Sequence, residues 1–145
     1  MPVLVALLPL LLFGWPVGPP LVTRPFDPPD QPWLSGHRGV DLSVTAGAVV
    51  RSAGGGTVVY AQRLAGRGVV SVAHAGGLRT TYEPVTATVT AGETVAAGDP
   101  IGTAEPGHPG CPVSACLHWG LRRADVYLDP LALLGLGRVR LLPYR

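Results

Sequence analysis

Short runs of valine, threonine and aliphatic residues recur along the chain, each bounded by glycine. Ala48–Ser52, Gly56–Ala61 and Gly68–His74 are rich in valine, and Leu78–Tyr82 follows the Gly76-Gly77 pair. Runs of this length between glycines predict strands, and the last two predict a hairpin across Gly76-Gly77. Thr86–Val89, Thr94–Ala96 and Pro100–Thr103 continue the series. Ala115–Arg122 alternates most cleanly. Leu117, Trp119 and Leu121 fall on one face, and Cys116, His118 and Gly120 on the other. A short helix is expected next, with Asp129 as N-cap, Pro130 at the first position and Gly135 past the end. The pattern predicts an all-β fold of sandwich or barrel type, with one short C-terminal helix. Val44-Thr45-Ala46-Gly47 recurs as Val89-Thr90-Ala91-Gly92, and in that register Val50 matches Val95. Two copies of a strand–turn–strand unit are therefore expected.

The N-terminal part is patterned differently. Val3–Trp15 is a continuous apolar run, shorter than the ~20 residues a membrane-spanning helix needs and matched to the hydrophobic region of a signal peptide. No arginine precedes it, and no small-x-small cleavage site follows. Seven prolines between Pro16 and Pro32 exclude a regular helix or a central strand there. The expected organisation is a signal peptide or apolar leader over 1–22, a Pro-rich linker over 23–32, the folded domain over 33–135 and a C-terminal strand or tail over 136–145. Export to the extracellular, cell-wall or periplasmic space is expected. In that oxidising setting Cys111 and Cys116, close in sequence, are read as a local disulfide.

Length and charge add limits. At 145 residues the chain holds one domain of ordinary size. Its formal net charge is +2, its arginines are scattered and it has no lysine. No basic stripe with interleaved aromatics is present, so nucleic acid is not an expected partner.

The candidate chemistry lies in a few polar residues. His37 and Asp41 stand in Gly36-His37-Arg38-Gly39-Val40-Asp41-Leu42, where the glycines disfavour a helix and predict a turn entering a strand. Their even spacing places them on one face of an extended segment. His118 lies on the polar face of its strand. Two imidazoles and a carboxylate suit catalytic zinc, which takes three protein ligands of N or O type and keeps a fourth position open.

The stretch His37–Tyr60, HRGVDLSVTAGAVVRSAGGGTVVY, resembles the opening of the lysostaphin-like (LytM-type) zinc endopeptidases that cut bacterial cell wall. The likeness continues through Val69–Tyr82, Val89–Gly102, Cys116–Trp119 and Leu128–Pro130 in the family's order. It implies a mainly antiparallel β fold with a zinc-bearing groove, one zinc ion held by His37, Asp41 and His118, and hydrolysis of peptide cross-links of peptidoglycan. No membrane span is expected in the mature form.

The chain departs from that family at two places. Where the family has His-x-His, it reads Cys116-Leu117-His118, and Tyr82 is followed by Glu83 and Pro84 where the family tends to have a histidine. The two substituted histidines are those the family uses to activate water and stabilise the transition state. Glu83 is the candidate base in their stead, since a carboxylate does that work in other zinc proteases. Cys116, if bonded to Cys111, shapes the rim of the groove. His74 is read as structural or as supporting the ligands, and His108 as exposed. A rival cluster of His108, Cys111, Cys116 and His118 also satisfies zinc's preferences, but leaves His37 and Asp41 without a role.

Other functions compete. A degenerate relative would bind zinc or wall without cutting and regulate or localise a partner hydrolase. Val89–Gly102 also resembles the hairpin of biotinyl and lipoyl carriers, but these attach their cofactor to a lysine and the chain has none. The apolar leader and the His37/Asp41 pair speak against a sugar-phosphotransferase phosphocarrier.

Overall fold

The glycine-bounded runs fold as strands. The computed structural model describes residues 12–136. Among these lie β1 (Val22–Arg24), β2 (Gly39–Ser43), β3 (Val49–Arg51), β4 (Gly56–Leu64), β5 (Arg67–Ala73) and β6 (Leu78–Glu83). They continue as β7 (Val85–Ala87), β8 (Thr94–Val95), β9 (Pro100–Ala104), β10 (Cys116–Arg123) and β11 (Val126–Leu128). The larger sheet has the order β1-β2-β10-β6-β5-β4-β8, with β11 joined to β10, and the smaller has the order β3-β9-β7. All pairings are antiparallel. The sequence expectation of an all-β antiparallel fold therefore holds, including the β5–β6 hairpin across Gly76-Gly77.

Strand β10 is the spine of the larger sheet. One edge pairs with β6, while the other takes β2 and then β11. Leu117 and Trp119 point inward, in one core with Val40 and Leu42 of β2, Tyr82 of β6, and Val70 and Val72 of β5, and Leu121 is buried as well. Val50, Val85 and Ile101 of the smaller sheet complete the same core. The opposite face of β2, β10 and β6 is left to polar side chains.

The repeated Val-Thr-Ala-Gly segments form matching turns. Ala48 N–H donates to the Thr45 carbonyl at 2.9 Å and Glu93 N–H to the Thr90 carbonyl at 3.2 Å. Gly47 and Gly92 have φ of 85° and 100°, a region that residues with a Cβ avoid. Each turn leads into a short strand with a buried valine, Val50 or Val95. The C-terminal helix is a 3-10 turn over Pro130–Leu134. Asp129 accepts from Leu131 N–H at 3.0 Å and Gly135 closes it in the left-handed conformation.

The Pro-rich segment has contacts of its own with the sheets. From Leu12 onward the chain packs on the domain. Gly14 N–H donates to the Ala53 carbonyl, and Arg51 N–H to the Pro16 carbonyl. Val17 is buried, Phe13 packs edge-on against His74, and Trp15 lies 6.1 Å from Trp119. Strand β1 then pairs with β2, and Asp27 makes a two-bond bridge with His37. Proline forbids a continuous ladder, but isolated backbone bonds between prolines remain available, and the aromatic side chains supply burial. The rest of the apolar leader, 1–11, and the tail from 137 onward lie outside the described residues. No helix among the described residues is long and apolar enough to cross a membrane.

Behind the polar face runs a closed chain of buried hydrogen bonds. The Gly55 carbonyl can only accept, so it fixes the proton of His74 on Nδ1 at 2.8 Å. Nε2 then accepts from the Thr80 hydroxyl at 2.7 Å, and Thr80 accepts from the Tyr82 hydroxyl at 2.8 Å. Tyr82 accepts from Ala53 N–H at 2.9 Å. These directions are those of neutral His74, whose pKa burial lowers below the ordinary 6.5 despite the opposing pull of the Gly55 carbonyl. The folded pKa lies below the unfolded one, so the unfolded chain takes up the proton first. This contribution is complete above the unfolded value and shrinks as pH falls below it. The Thr80→Val variant should lose about 1–3 kcal/mol for each partner left unpaired, Nε2 of His74 and the Tyr82 hydroxyl. Urea unfolding reads this loss. The same measurement on zinc-free protein should show stability falling from neutral pH towards pH ~5, with a shallower decline in His74→Gln.

Candidate metal centre

The polar face is built around Asp41. Register alone brings it to His118, because β2 and β10 pair with Asp41 directly opposite His118. Directly opposed side chains have Cβ atoms ~5 Å apart. Gly39 leaves the room the histidine needs. A Cβ there would lie 2.7 Å from Nε2 of His118 and 2.6 Å from the Trp119 carbonyl. His37 is brought in by the Pro-rich segment, whose Asp27 bridges it. Gly36 allows that approach, since a Cβ at Gly36 would meet the Asp27 carbonyl at 2.6 Å.

Three imidazoles converge on one carboxylate oxygen. Asp41 Oδ1 lies 3.0 Å from His37 Nε2, 2.9 Å from His118 Nδ1 and 3.0 Å from His108 Nε2. Burial works to raise the Asp41 pKa. Hydrogen bonds from His108 and His118, with the positive charge that His108 and His37 carry when protonated, outweigh it and hold the carboxyl well below the ordinary range. Asp41 is thus an anion at neutral pH.

The donor set fits a cation. His37 Nδ1 lies 2.9 Å from the Pro25 carbonyl, which can only accept. The ring proton therefore sits on Nδ1, and Nε2 of the neutral ring turns a lone pair towards the Asp41 carboxylate. Two lone pairs at 3.0 Å repel unless a proton or metal ion lies between them. Ligand atoms of His37, Asp41 and His118 all lie within 4.8 Å of one another. The Pro25 bond on the far nitrogen is the usual support of a metal-ligating histidine. Two nitrogens, one oxygen and an open side match the ligand preferences of catalytic zinc.

The remaining sequence-predicted residues fall in different places. Glu83 lies opposite His118 on β6 and lines the same groove. Arg67 donates through Nε to its Oε1. His74 belongs to the buried chain described above, away from the groove. Cys111 and Cys116 form a disulfide, so the rival ligand cluster with two thiolates does not exist.

His108, expected to be exposed, is instead partly buried against Asp41. Its loop is held at both ends. Glu105 N–H donates to the Pro84 carbonyl, and the Glu105 carboxylate accepts from Thr86 and Arg63. At the other end Cys111 N–H closes a turn on the His108 carbonyl, and its sulfur is bonded to Cys116 on β10. The groove has a volume of about 510 Å³, with His37, His108, His118, Glu83 and Arg67 in its lining. Sequence reasoning missed two elements here. The disulfide was the signal for His108, since it ties that loop to the strand bearing His118. The Pro25 carbonyl is a backbone group and left no signal.

Comparison with known proteins bears on the family and the fold. The model of "Peptidase family M23" matches residues 35–130. The uncharacterized protein Rv2891 of Mycobacterium tuberculosis (strain ATCC 25618 / H37Rv) is 52% identical over 135 residues, covering 90% of this chain and 54% of that protein. The chain thus spans about half the length of the curated relatives it matches. A zinc-containing peptidase from Vibrio cholerae has the same fold, with a TM-score of 0.69 at 24% identity over 85% of this chain and 39% of the other. A chain in the complex of SpoIIIAH and SpoIIQ superposes with a TM-score of 0.68 at 25% identity, covering 83% and 98%.

The steric role of Gly39 is open to test. In Gly39→Ala the added methyl displaces either the β10 backbone or the His118 ring. Zinc affinity, measured by competition with a chelator, should fall ~10–100-fold, as for other groups that orient a ligand. Stability should drop by about 1–3 kcal/mol from overpacking.

Proposed function

The chain belongs to peptidase family M23, and we propose that it is an exported zinc endopeptidase that hydrolyses peptide cross-links of bacterial peptidoglycan. The observation carrying this reading is the convergence of His37, Asp41 and His118 at an open groove. His37 Nε2, Asp41 Oδ1 and His118 Nδ1 are the atoms that would hold the ion. Zinc, when bound, acts as a Lewis acid towards a carbonyl and brings the pKa of a coordinated water to ~7.

The chain's own residues do the rest. Pro25 keeps the proton of His37 on Nδ1 and so keeps Nε2 free to ligate. Arg67 holds one oxygen of Glu83, which lines the groove, and the other is the candidate acceptor for a water proton. His108 lines the same groove and is the candidate N–H donor to a developing oxyanion, on exchanging its bond to Asp41 for one to the substrate. The disulfide at Cys116 takes the place of the family histidine there, and the loop it tethers brings His108 to Asp41.

A second reading draws on the same replacement. Cys116 carries no proton to donate, and Glu83 is already paired with Arg67. A domain so altered could bind zinc and wall without cutting and act on a partner hydrolase. One matched structure is itself a protein–protein complex.

Zinc content and amine release from purified peptidoglycan decide between them. The full chain, purified without chelator, should carry one zinc and release new amines, and His118→Ala should lose both. Glu83→Gln and His108→Ala should keep zinc but lose ~10²–10⁴-fold in rate, the usual size of an acid–base contribution or of one oxyanion donor. One zinc with no amine release from several wall types favours the non-cutting reading. Export is checked by fractionation, with the protein expected in the wall or medium rather than the cytosol.

A further inference from the structure

A second groove of about 620 Å³ opens from the metal centre and shares Arg38, Glu83 and His118 with it. Its floor is the polar face of β10 and β6. Along β10 the residues on that face are His118, then Gly120, then Arg122. Gly120 adds no side chain, and a Cβ there would meet only ordinary contacts, with the Arg38 carbonyl at 3.8 Å. The floor is therefore open between the metal centre and Arg122, a separation of ~13 Å at the rise of a strand.

The far end is basic without internal compensation. Arg122 stands directly opposite Arg79 on β6. Like charges in that position destabilise a sheet. The salt bridges of arginine among the described residues join Arg63 to Glu105 and Arg67 to Glu83, so neither Arg79 nor Arg122 has a carboxylate partner there. Arg38 adds a third guanidinium to the same groove. It is anchored by bonds from Nη2 to the Pro32 and Leu34 carbonyls at 2.7 and 3.2 Å. Tyr127 lies within cation–π reach of Arg38 and Arg122, at 5.9 and 6.0 Å. A planar fork held by an aromatic ring suits bidentate recognition of a carboxylate.

We infer that Arg38, Arg79 and Arg122 form a subsite for a free carboxylate of an extended peptide whose scissile bond lies at the metal centre. At ~3.3 Å per residue the recognised carboxylate sits about four residues from that bond. The inference rests on the peptidase reading for the nature of the peptide, but binding is measured without cleavage.

The test uses zinc-loaded full chain and soluble cross-linked wall peptides in two forms, with carboxylates free or converted to amides. Fluorescence anisotropy should give about tenfold tighter binding of the free-carboxylate form. The Arg79→Gln/Arg122→Gln double variant should bind both forms alike. That variant should also unfold at the same or a higher temperature than the parent, because a like-charge pair has been removed, so a loss of preference is not a loss of fold. Equal affinity for the two forms in the parent, a preference that survives the double variant, or binding of neither peptide overturns the subsite. So does tighter binding of a single-stranded oligonucleotide than of the acid peptide. A protein that prefers the acid peptide but cuts no wall defeats the peptidase reading and leaves the subsite standing. One that cuts wall without preference does the reverse.

Discussion

The pairing of β2 with β10 in one register is the constraint from which the site follows. Side chains alternate across a strand, so a slip of one residue would exchange the two faces. Asp41 would turn into the core, while Val40 and Leu42 would face the groove. Val40, Leu42, Leu117 and Trp119 are each fully buried in the observed register. Burying side chains of this kind is worth ~1.5–3 kcal/mol apiece, and an unpaired carboxylate in their place would add several kcal/mol of cost. The approach of His118 to Asp41 is therefore set by the hydrophobic core and not by their mutual attraction. Gly39 extends the same logic, because the ring of His118 occupies the space a side chain there would need.

What the sheet cannot provide, two tethered loops do. His37 precedes β2, and its orientation depends on the Pro25 carbonyl and the Asp27 bridge. His108 precedes β10 by a loop, and its approach depends on Glu105 at one end and the disulfide at the other. A loop fixed at both ends has already lost most of the conformational freedom that binding would otherwise remove. The Pro-rich segment is thus part of the site's support, which explains why it packs on the domain. Its prolines restrict the chain before folding, so ordering it is less costly than ordering a flexible strand.

The sequence carried most of the fold because the core is built from periodic apolar positions. Leu117, Trp119 and Leu121 point inward as their alternation predicts, and the glycine-bounded valine runs became strands. The C-terminal turn was legible because Asp129, Pro130 and Gly135 act within a few residues of one another. The convergence of His37, Asp41 and His118 could be drawn only from likeness to a family, since strands distant in sequence bring them together. Packing of residues 12–32 was not legible for a related reason. Proline content reports what a segment cannot form, whereas single backbone bonds to Ala53, Pro16 and His37 depend on where the partner lies. The same holds for His108, whose surroundings include only one nearby clue, the cysteine three positions on.

On the proposed reading, binding and cutting would use separable parts of this molecule. The groove floor belongs to strand faces, where His118, Gly120 and Arg122 follow one another on β10 and Arg79 lies across on β6. Its dimensions are therefore as firm as the core beneath. The groups suited to moving protons stand differently: His108 is on a loop, and Glu83 is tied to Arg67 beside the turn into β5. Substitution at the two family histidines alters these latter groups and leaves the floor untouched. A lineage that lost cutting would keep a groove for an extended peptide, with its unpaired arginines still costing stability. Two guanidiniums opposite each other, without an acid partner among the described residues, are best accommodated when a ligand brings the negative charge. The active and the non-cutting readings thus share one requirement, an anionic ligand laid along β10, and differ only in what happens at the end where His118 stands.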